Sequence, residues 1–264
     1  MPRPFTLRTA IMNAWMYPGL VLMTACSIAL FPVLHPLCRL LGSLERGQGA
    51  RLLIWIYGKA WMLLIRPFAS FRRESFGHVA AQRPAILVCN HLSFFDIYCM
   101  GGLPHFDVVF TVRAWPFRMF WYAPFMRTAE YVDMETGGLD AGIARCKALL
   151  AKGATVLFFP EGHRSRDGGL QRFHSGAFRL SRETGVPIVP LCLTGTDDLL
   201  PAGSLRMAPA RVRMRALAPV RPERFPGESG HMAMRKEIRR RMAAELEAMR
   251  RGEPRVTKEE LACS

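Results

Sequence analysis

The sequence predicts an α/β domain, a mainly parallel sheet covered by helices, preceded by a hydrophobic helical hairpin. Three observations carry this reading. Short apolar runs at residues 85–89, 107–112, 155–159 and 188–193, set off by prolines, glycines and polar residues, have the length and character of buried strands. Segments of helical spacing lie between them, and strands alternating with helices specify a parallel sheet with crossover helices. Finally, residues 9–38 contain no Asp, Glu, Lys or Arg, and about 20 apolar residues suffice to cross a bilayer.

The apolar run is flanked by Arg3 and Arg8 before it and by Arg39 and Arg46 after it. Trp15 and Tyr17 suit a headgroup interface. Pro18 and Pro32 leave a bent or re-entrant helix as plausible as a straight one. A second apolar segment, residues 52–68, is broken by Lys59 and carries Trp55, Tyr57 and Trp61. Together the two can form a hairpin in or on one leaflet. Arg66, Arg72 and Arg73 then favour the cytoplasmic side. A secretory signal lacks a clean cleavage site here, and Met23-Thr24-Ala25-Cys26 resembles a lipoprotein site only faintly. A buried hairpin of a soluble domain is the remaining alternative.

Residues 77–83 read as a linker into the first buried strand. A helix follows Asp96 to about residue 101. Residues 113–127 are dense in aromatics (Trp115, Phe117, Phe120, Trp121, Tyr122, Phe125), suited equally to core packing and to a wall near an acyl chain. A short strand is expected at 130–132 and a helix at 138–151, with Leu139, Ile143, Cys146 and Leu150 on one face. A second helix spans 173–183. Arg211, Arg213 and Arg215 alternate with Val212, Met214 and Ala216, the period of a strand with one basic face, either a solvated edge or a border to a membrane or an acidic carrier protein. Residues 232–250 are strongly helical, with cations on the polar sides that can pack on the domain or on anionic lipid. The expected division is therefore 1–76 membrane-associated helices, 77–220 the α/β domain, 221–251 a basic helix, and 252–264 a disordered tail.

Composition narrows the function. The 264 residues carry 36 Lys plus Arg against 21 Asp plus Glu, a formal charge of +15, which attracts anionic surfaces or substrates. Nucleic acid would fit the charge but not the uncharged start of the chain, and no zinc-finger, RNP or basic-zipper pattern is present. The seven cysteines are odd in number and scattered, so neither a disulfide framework nor a zinc site is indicated, and no metal is expected.

Two polar clusters follow strand ends, where ligands of parallel sheets gather. The first is Asn90-His91-Leu92-Ser93-Phe94-Phe95-Asp96. Ser93 is expected to cap the helix, with Asp96 at its third position. His91 lies before the cap, so its ring can fold back onto Asp96. A carboxylate on one imidazole nitrogen fixes the tautomer and stabilises the imidazolium when the other nitrogen takes a proton. Alternatively, Asp96 only caps the helix. A nucleophilic Cys89 is disfavoured because it ends a buried run. The second cluster is Pro160-Glu161-Gly162-His163-Arg164-Ser165-Arg166. Here Gly162 permits a tight turn, Arg164 can grip a phosphate with two hydrogen bonds, and Glu161 can hold that arginine or accept a hydroxyl. Taken alone, this cluster is a charged surface turn.

These residues resemble the glycerolipid acyltransferases, specifically the 1-acyl-glycerol-3-phosphate acyltransferase group. Its signature Asn-His-x-Ser-x-x-Asp is complete at 90–96. Its Phe-Pro-Glu-Gly-Thr-Arg-Ser block appears at 159–165 with His163 for threonine. Its Val-Pro-Ile-x-Pro block appears as Val186-Pro187-Ile188-Val189-Pro190, followed by Gly195. The likeness covers about residues 80–220. It implies acyl transfer from a thioester, acyl-CoA or acyl-carrier protein, to the hydroxyl of a lyso-lipid, giving phosphatidic acid when the acceptor is 1-acyl-glycerol-3-phosphate. It implies no bound cofactor. His91 and Asp96 would be catalytic. Glu161, Gly162, Arg164, Ser165 and, more weakly, Arg166 would serve the substrate, while Asn90, Ser93, Pro187 and Pro190 would support the motifs. Oxyanion donors would come from backbone N–H groups at the helix start below Ser93. The implied partners are an anionic phospholipid membrane, the lyso-lipid and an acyl carrier protein, with the domain on the cytoplasmic face of the inner membrane and no nucleic acid.

Two departures bear on the acceptor. The family commonly has an arginine where this chain has Glu130 to Glu135, and a lysine before the Gly-Ala-Phe of the next helix, where this chain has Ser175. Both remove positive charge near the acceptor phosphate. Other acceptors are therefore alternatives: a lysophospholipid, an ornithine lipid, a glycolipid or a pigment-linked lipid. A non-catalytic membrane protein is the reading from a different class.

Overall fold

The computed structural model describes residues 6–165 and 167–252. Arg166 and the expected disordered tail beyond Gly252 lie outside the described residues. The chain begins with α1 (Leu7–Gly42) and α2 (Arg46–Ile65). It continues through β1 (Ala69–Glu74), α3 (Gly77–Ala81), β2 (Ile86–Cys89), α4 (Asp96–Cys99), β3 (Val108–Val112), α5 (Ala123–Thr128) and β4 (Val132–Asp133). Then come α6 (Gly138–Ala151), β5 (Thr155–Phe158), α7 (Gly176–Thr184), β6 (Ile188–Thr194), α8 (Thr196–Leu199), β7 (Ala210–Ala216) and α9 (Gly230–Arg251).

The seven strands form one sheet in the order β1-β7-β6-β2-β5-β3-β4. Every neighbouring pair is parallel except β6–β7. β2, β5 and β6 are buried at every position, which is why they read as unbroken apolar runs rather than alternating ones. β2 lies at the centre, with β5 on one side and β6 on the other.

Side-chain alternation shows which helices cover which face. On β1, Phe71 meets Trp61 of α2 edge to face at 5.9 Å, and Arg73 donates to the Gly102 carbonyl at 2.8 Å. Glu74 points to the other face, where Arg215 of β7 bonds both Glu74 at 2.6 Å and Glu245 of α9. Thus α2 and α4 cover one face, with α1 packed on α2, while α6, α7 and α9 cover the other.

α1 is one continuous helix through Pro18, Pro32 and Pro36, and its 36 residues at a rise of about 1.5 Å make it roughly 54 Å long. It is long and apolar enough to cross a membrane, and the most apolar stretch is unburied. Only Thr9, Met12 and Met16 are buried, near its start. α2, more polar, is fixed to the α/β domain. Its buried Arg51 donates to Asp107 at 2.7 Å and to the Ala129 carbonyl at 2.9 Å. Gly58 of α2 meets Gly101 backbone to backbone: a Cβ on Gly101 would lie 2.5 Å from the Gly58 carbonyl carbon.

Three expectations are corrected. Residues 77–83 are not simply a linker, since they contain α3. The sheet begins at Ala69, ahead of the expected boundary at 77, because β1 pairs with β7. Most tellingly, β7 is no solvated basic edge. It lies between β1 and β6, and Arg215 is 1% exposed. Its charge is balanced by Glu74 and Glu245, and Arg213 donates to Glu74 and to the Met249 carbonyl. Alternating arginines signal a strand, but only the carboxylates facing them decide whether that strand is buried.

Burial alone would raise the Glu74 carboxyl, but Arg215 and Arg213 outweigh it and hold its pKa below the ordinary value. Glu74→Ala should lower the unfolding free energy by about 2–3 kcal/mol at neutral pH, because it removes one of the two carboxylates that compensate a buried guanidinium and leaves Glu245 alone to do so. The stabilisation by Glu74 is present above the carboxylate's unfolded pKa and is lost as pH falls through the lower folded one. The gap between wild type and variant in urea unfolding should therefore close in acid. An unchanged urea midpoint at neutral pH would show that Glu74 does not hold this face.

Candidate active site

The site is built on the carboxyl ends of β2 and β5. β2 stops at Cys89, and the buried Asn90 amide locks the turn to β6 by donating to the Leu193 carbonyl at 2.9 Å and accepting the Leu193 N–H at 2.8 Å. The chain then folds tightly around Asp96. One carboxylate oxygen, Asp96 Oδ2, accepts the N–H of Leu92 at 2.6 Å, the N–H of Ser93 at 2.9 Å and His91 Nδ1 at 2.7 Å. The Asp96 side chain is fully buried, whereas the His91 side chain keeps 18% exposure.

This differs from the expected cap. The helix starts at Asp96 itself, with Phe95 at the cap position. Ser93 instead sends its hydroxyl to the Leu200 carbonyl at 2.8 Å, and the Asp96 carboxylate takes the free amides of the turn. The Leu92 and Ser93 N–H groups are thereby occupied and are not open to an oxyanion.

The chemistry of the pair follows from its geometry. With Nδ1 donating to the carboxylate, Nε2 carries the lone pair and can accept a proton, and the buried Asp96 charge stabilises the resulting imidazolium. The ring is held flat on Phe159, with centroids 4.3 Å apart and planes at 26°. Sequence reasoning missed this role for Phe159. Its position at the end of the β5 run, one strand from His91, was the available signal.

The second cluster joins the first through Glu161. Its carboxylate is buried and accepts the His91 N–H at 2.8 Å on one oxygen and the Gln171 N–H at 2.8 Å on the other. Burial pushes its pKa up, against the lowering effect of these two bonds. Glu161 therefore neither holds Arg164 nor stands open to a substrate hydroxyl: it ties the two loops together. Ser165 adds a second tie, donating its N–H to the His91 carbonyl at 2.8 Å, and its hydroxyl donates to Asp167 at 2.8 Å. Gly162 turns at φ 71°, and a Cβ there would lie 3.1 Å from the His174 ring. Arg164 is exposed on this turn. Arg166, the weaker candidate, is not among the described residues. Gln171, which the sequence reading passed over, is the third anchor of the loop.

The remaining motif residues are structural. The Pro187 carbonyl accepts the Ile86 N–H at 3.1 Å, and Pro190, on β6, accepts the Leu217 N–H at 2.9 Å. Cys89 is fully buried, and desolvation first, with the nearby Asp96 charge second, pushes its thiol well above the ordinary pKa. It is an inert core thiol. Among the described residues no His, Cys, Asp or Glu grouping could hold a metal ion.

Residues 72–194 match the acyltransferase family model. The chain is 36% identical over 156 residues to a chloroplastic 1-acyl-sn-glycerol-3-phosphate acyltransferase of Arabidopsis thaliana, covering 55% of this chain and 42% of the relative. It is 37% identical over 133 residues to a chloroplastic 1-acyl-sn-glycerol-3-phosphate acyltransferase of Brassica napus, covering 47% and 37%. It thus spans about two fifths of the length of these two relatives. In three dimensions it is similar to the 1-acyl-sn-glycerophosphate acyltransferase of Thermotoga maritima, with a TM-score of 0.71 at 22% identity over 95% of this chain and 98% of that one. That likeness establishes the shared fold, including a mostly parallel sheet covered by helices.

Each buried carboxylate should be visible in amide exchange. Asp96→Ala is expected to speed exchange at Leu92 and Ser93, and Glu161→Ala at His91 and Gln171, by about tenfold or more, the equivalent of losing a charge-assisted hydrogen bond. Hydrogen–deuterium exchange at residue resolution checks this. Protection unaltered at those amides would mean that the two loops hold their shape without the carboxylates.

Proposed function

We propose, on the premise that residues 72–194 are an acyltransferase domain homologous to those of the 1-acyl-sn-glycerol-3-phosphate acyltransferases, that the protein moves an acyl group from a thioester to the hydroxyl of a lyso-lipid. The preferred acceptor is 1-acyl-glycerol-3-phosphate and the product phosphatidic acid. The observation that carries the reading is the 2.7 Å bond between His91 Nδ1 and the buried Asp96 carboxylate, at the carboxyl ends of the central strands.

In this reading His91 Nε2 takes the proton from the acceptor hydroxyl as that oxygen attacks the thioester carbonyl. Asp96 orients the ring and balances its charge. When the tetrahedral intermediate collapses, the carbon–sulfur bond breaks and the thiolate leaves with the proton returned by His91. No covalent enzyme intermediate is needed. Glu161 and Ser165 act on His91 through its backbone, as positioning residues. Arg164, exposed on the turn made by Gly162, is the candidate for the acidic headgroup, with Arg166 beside it in sequence. The donor is acyl-CoA or acyl-carrier protein. The absence of arginine between residues 130 and 135, with serine at 175, favours a second reading in which another lyso-lipid is the acceptor.

The same proposal places the protein on the inner membrane with its α/β domain toward the cytoplasm. α1 and α2 act as a membrane-attached hairpin. Leu22, Val33, Leu40 and Leu41 of α1 and Leu63 of α2 are exposed apolar side chains that lipid would cover. Residues 1–76 then serve attachment, though β1 within them belongs to the sheet. Residues 77–220 carry the chemistry, and 221–251 supply a basic helix on the far face.

His91→Ala is expected to reduce acyl transfer by about 100-fold or more, the usual worth of a general base, in a variant that still folds, with a lower unfolding temperature because the buried Asp96 carboxylate loses one of its three donors. Labelled acyl-CoA and acyl-carrier protein, offered with a panel of lyso-lipids, test this. Retention of more than about a tenth of the wild-type rate by a folded variant would remove His91 from the base role. Transfer only to a lyso-lipid other than 1-acyl-glycerol-3-phosphate would select the second reading.

A further inference from the structure

We propose that the groove between α9 and residues 170–173 is a docking site for an acidic carrier protein that presents the acyl thioester. The proposal rests on the acyl-transfer reading above and names the form of donor this chain is built to receive.

The groove has a volume of about 550 Å³ and is lined by Arg172, Phe173, Met232, Arg235, Lys236 and Arg239, together with Ala233. It thus holds four cations and no acid. Some other arginines are matched to carboxylates: Arg51 to Asp107, Arg113 to Glu135, Arg179 to Asp140, and, on α9 itself, Arg240 and Arg241 to Glu237. Among the described residues, Arg172, Arg235 and Lys236 make no ion pair. Arg239 donates to the carbonyls of Leu170 at 2.8 Å and Gln171 at 3.0 Å, which leaves its charge uncompensated. Four like charges around one groove repel one another and concentrate a positive potential that an acidic surface would meet. The groove's exposed apolar surface is the half-exposed Met232, seated over the buried Phe173, and methionine is among the residue types enriched with arginine at protein interfaces.

Placement decides between a carrier protein and a membrane. The apolar helix α1 lies with α2 on one face of the sheet, whereas α9 lies on the other. Glu74, which reaches Arg215 and α9, alternates along β1 with Arg73, which reaches the α2 side. A bilayer that takes up α1 therefore meets the opposite side of the molecule, and the α9 groove opens toward the aqueous phase. The groove is also joined to the catalytic loop. Arg239 holds the Leu170 and Gln171 carbonyls, the Gln171 N–H reaches Glu161, and Glu161 accepts the His91 N–H. A carrier seated on α9 would lie against the segment that shapes the His91 turn.

The test is steady-state kinetics of the full chain in lipid nanodiscs with acyl-carrier protein and acyl-CoA as alternative donors. Arg235→Glu and Lys236→Glu are compared with wild type, and Arg239 is left in place because it braces the loop. The KM for acyl-carrier protein should rise about tenfold in the double variant and lose most of its salt dependence. The acyl-CoA reaction should keep its kcat and KM. Anisotropy of fluorescently labelled holo-carrier protein reads the same docking without turnover and should show the same weakening. Thermal unfolding verifies that the variants are folded. Equal loss with both donors would reassign the groove to bracing the loop, and no change with either would leave it without a docking role. Reduced cosedimentation with phosphatidylglycerol–phosphatidylcholine vesicles at unchanged carrier affinity would make it a membrane surface. Each of these overturns the proposal, as does a wild-type chain that does not bind the carrier. Absence of transfer from either donor by folded wild type would instead remove the acyl-transfer reading, and the anisotropy would still report on docking.

Discussion

One carboxylate oxygen holds the centre of this protein. Asp96 Oδ2 accepts two backbone amides and the His91 ring within a single turn. A buried carboxylate is costly to desolvate, and hydrogen bonds from the groups around it offset that cost. The arrangement therefore defines the turn and the ring together. The ring cannot swing away without losing its partner, and the loop cannot relax without exposing two amides and a charge. Asp96 Oδ1 has no hydrogen-bond partner among the described residues, so the three donors to Oδ2 carry the whole stabilisation.

The turn is held from three directions, each a different part of the chain. Asn90 ties it to β6, Glu161 and Ser165 tie it to the loop after β5, and Ser93 ties it to the Leu200 carbonyl. The segment beyond Leu200 meets the start of α1, where the Asn13 amide bonds the Met207 backbone at 2.8 and 3.0 Å. Thus the long apolar helix is not a free tether. It is hydrogen-bonded to the segment that supports the candidate catalytic turn, and α2 is fixed beside it by Arg51. A membrane-embedded α1 would set the height and tilt of the turn above the lipid.

The opposite face follows another logic. There α9 closes the sheet over a buried arginine, Arg215, shared by Glu74 and Glu245. A buried guanidinium with two carboxylates demands a particular registry of β1, β7 and α9, because its donors are planar and fixed in direction. The helix that satisfies this inward charge presents unmatched cations outward. One element thereby completes the core and supplies the basic groove.

The strands at 86–89, 155–158 and 188–194, the helices at 138–151 and 176–184, and the pairing of His91 with Asp96 were legible in the sequence because each depends on local pattern. Apolar runs, helical periodicity and a five-residue interval all lie within one segment. The sequence also marked 159–165 as a loop beside the His91 turn, since both follow buried strands. What it left undetermined depends on residues far apart in the chain. Glu161 as a tie rather than a pocket wall needed His91 and Gln171 around it. Arg215 as a core residue needed Glu74, 141 positions away. The availability of oxyanion donors needed the direction of the Asp96 carboxylate. The sequence by itself determined where polar groups sit along the chain. Only the tertiary structure decided which were buried and matched and which were left for a partner, because desolvation and charge compensation are properties of neighbours in space.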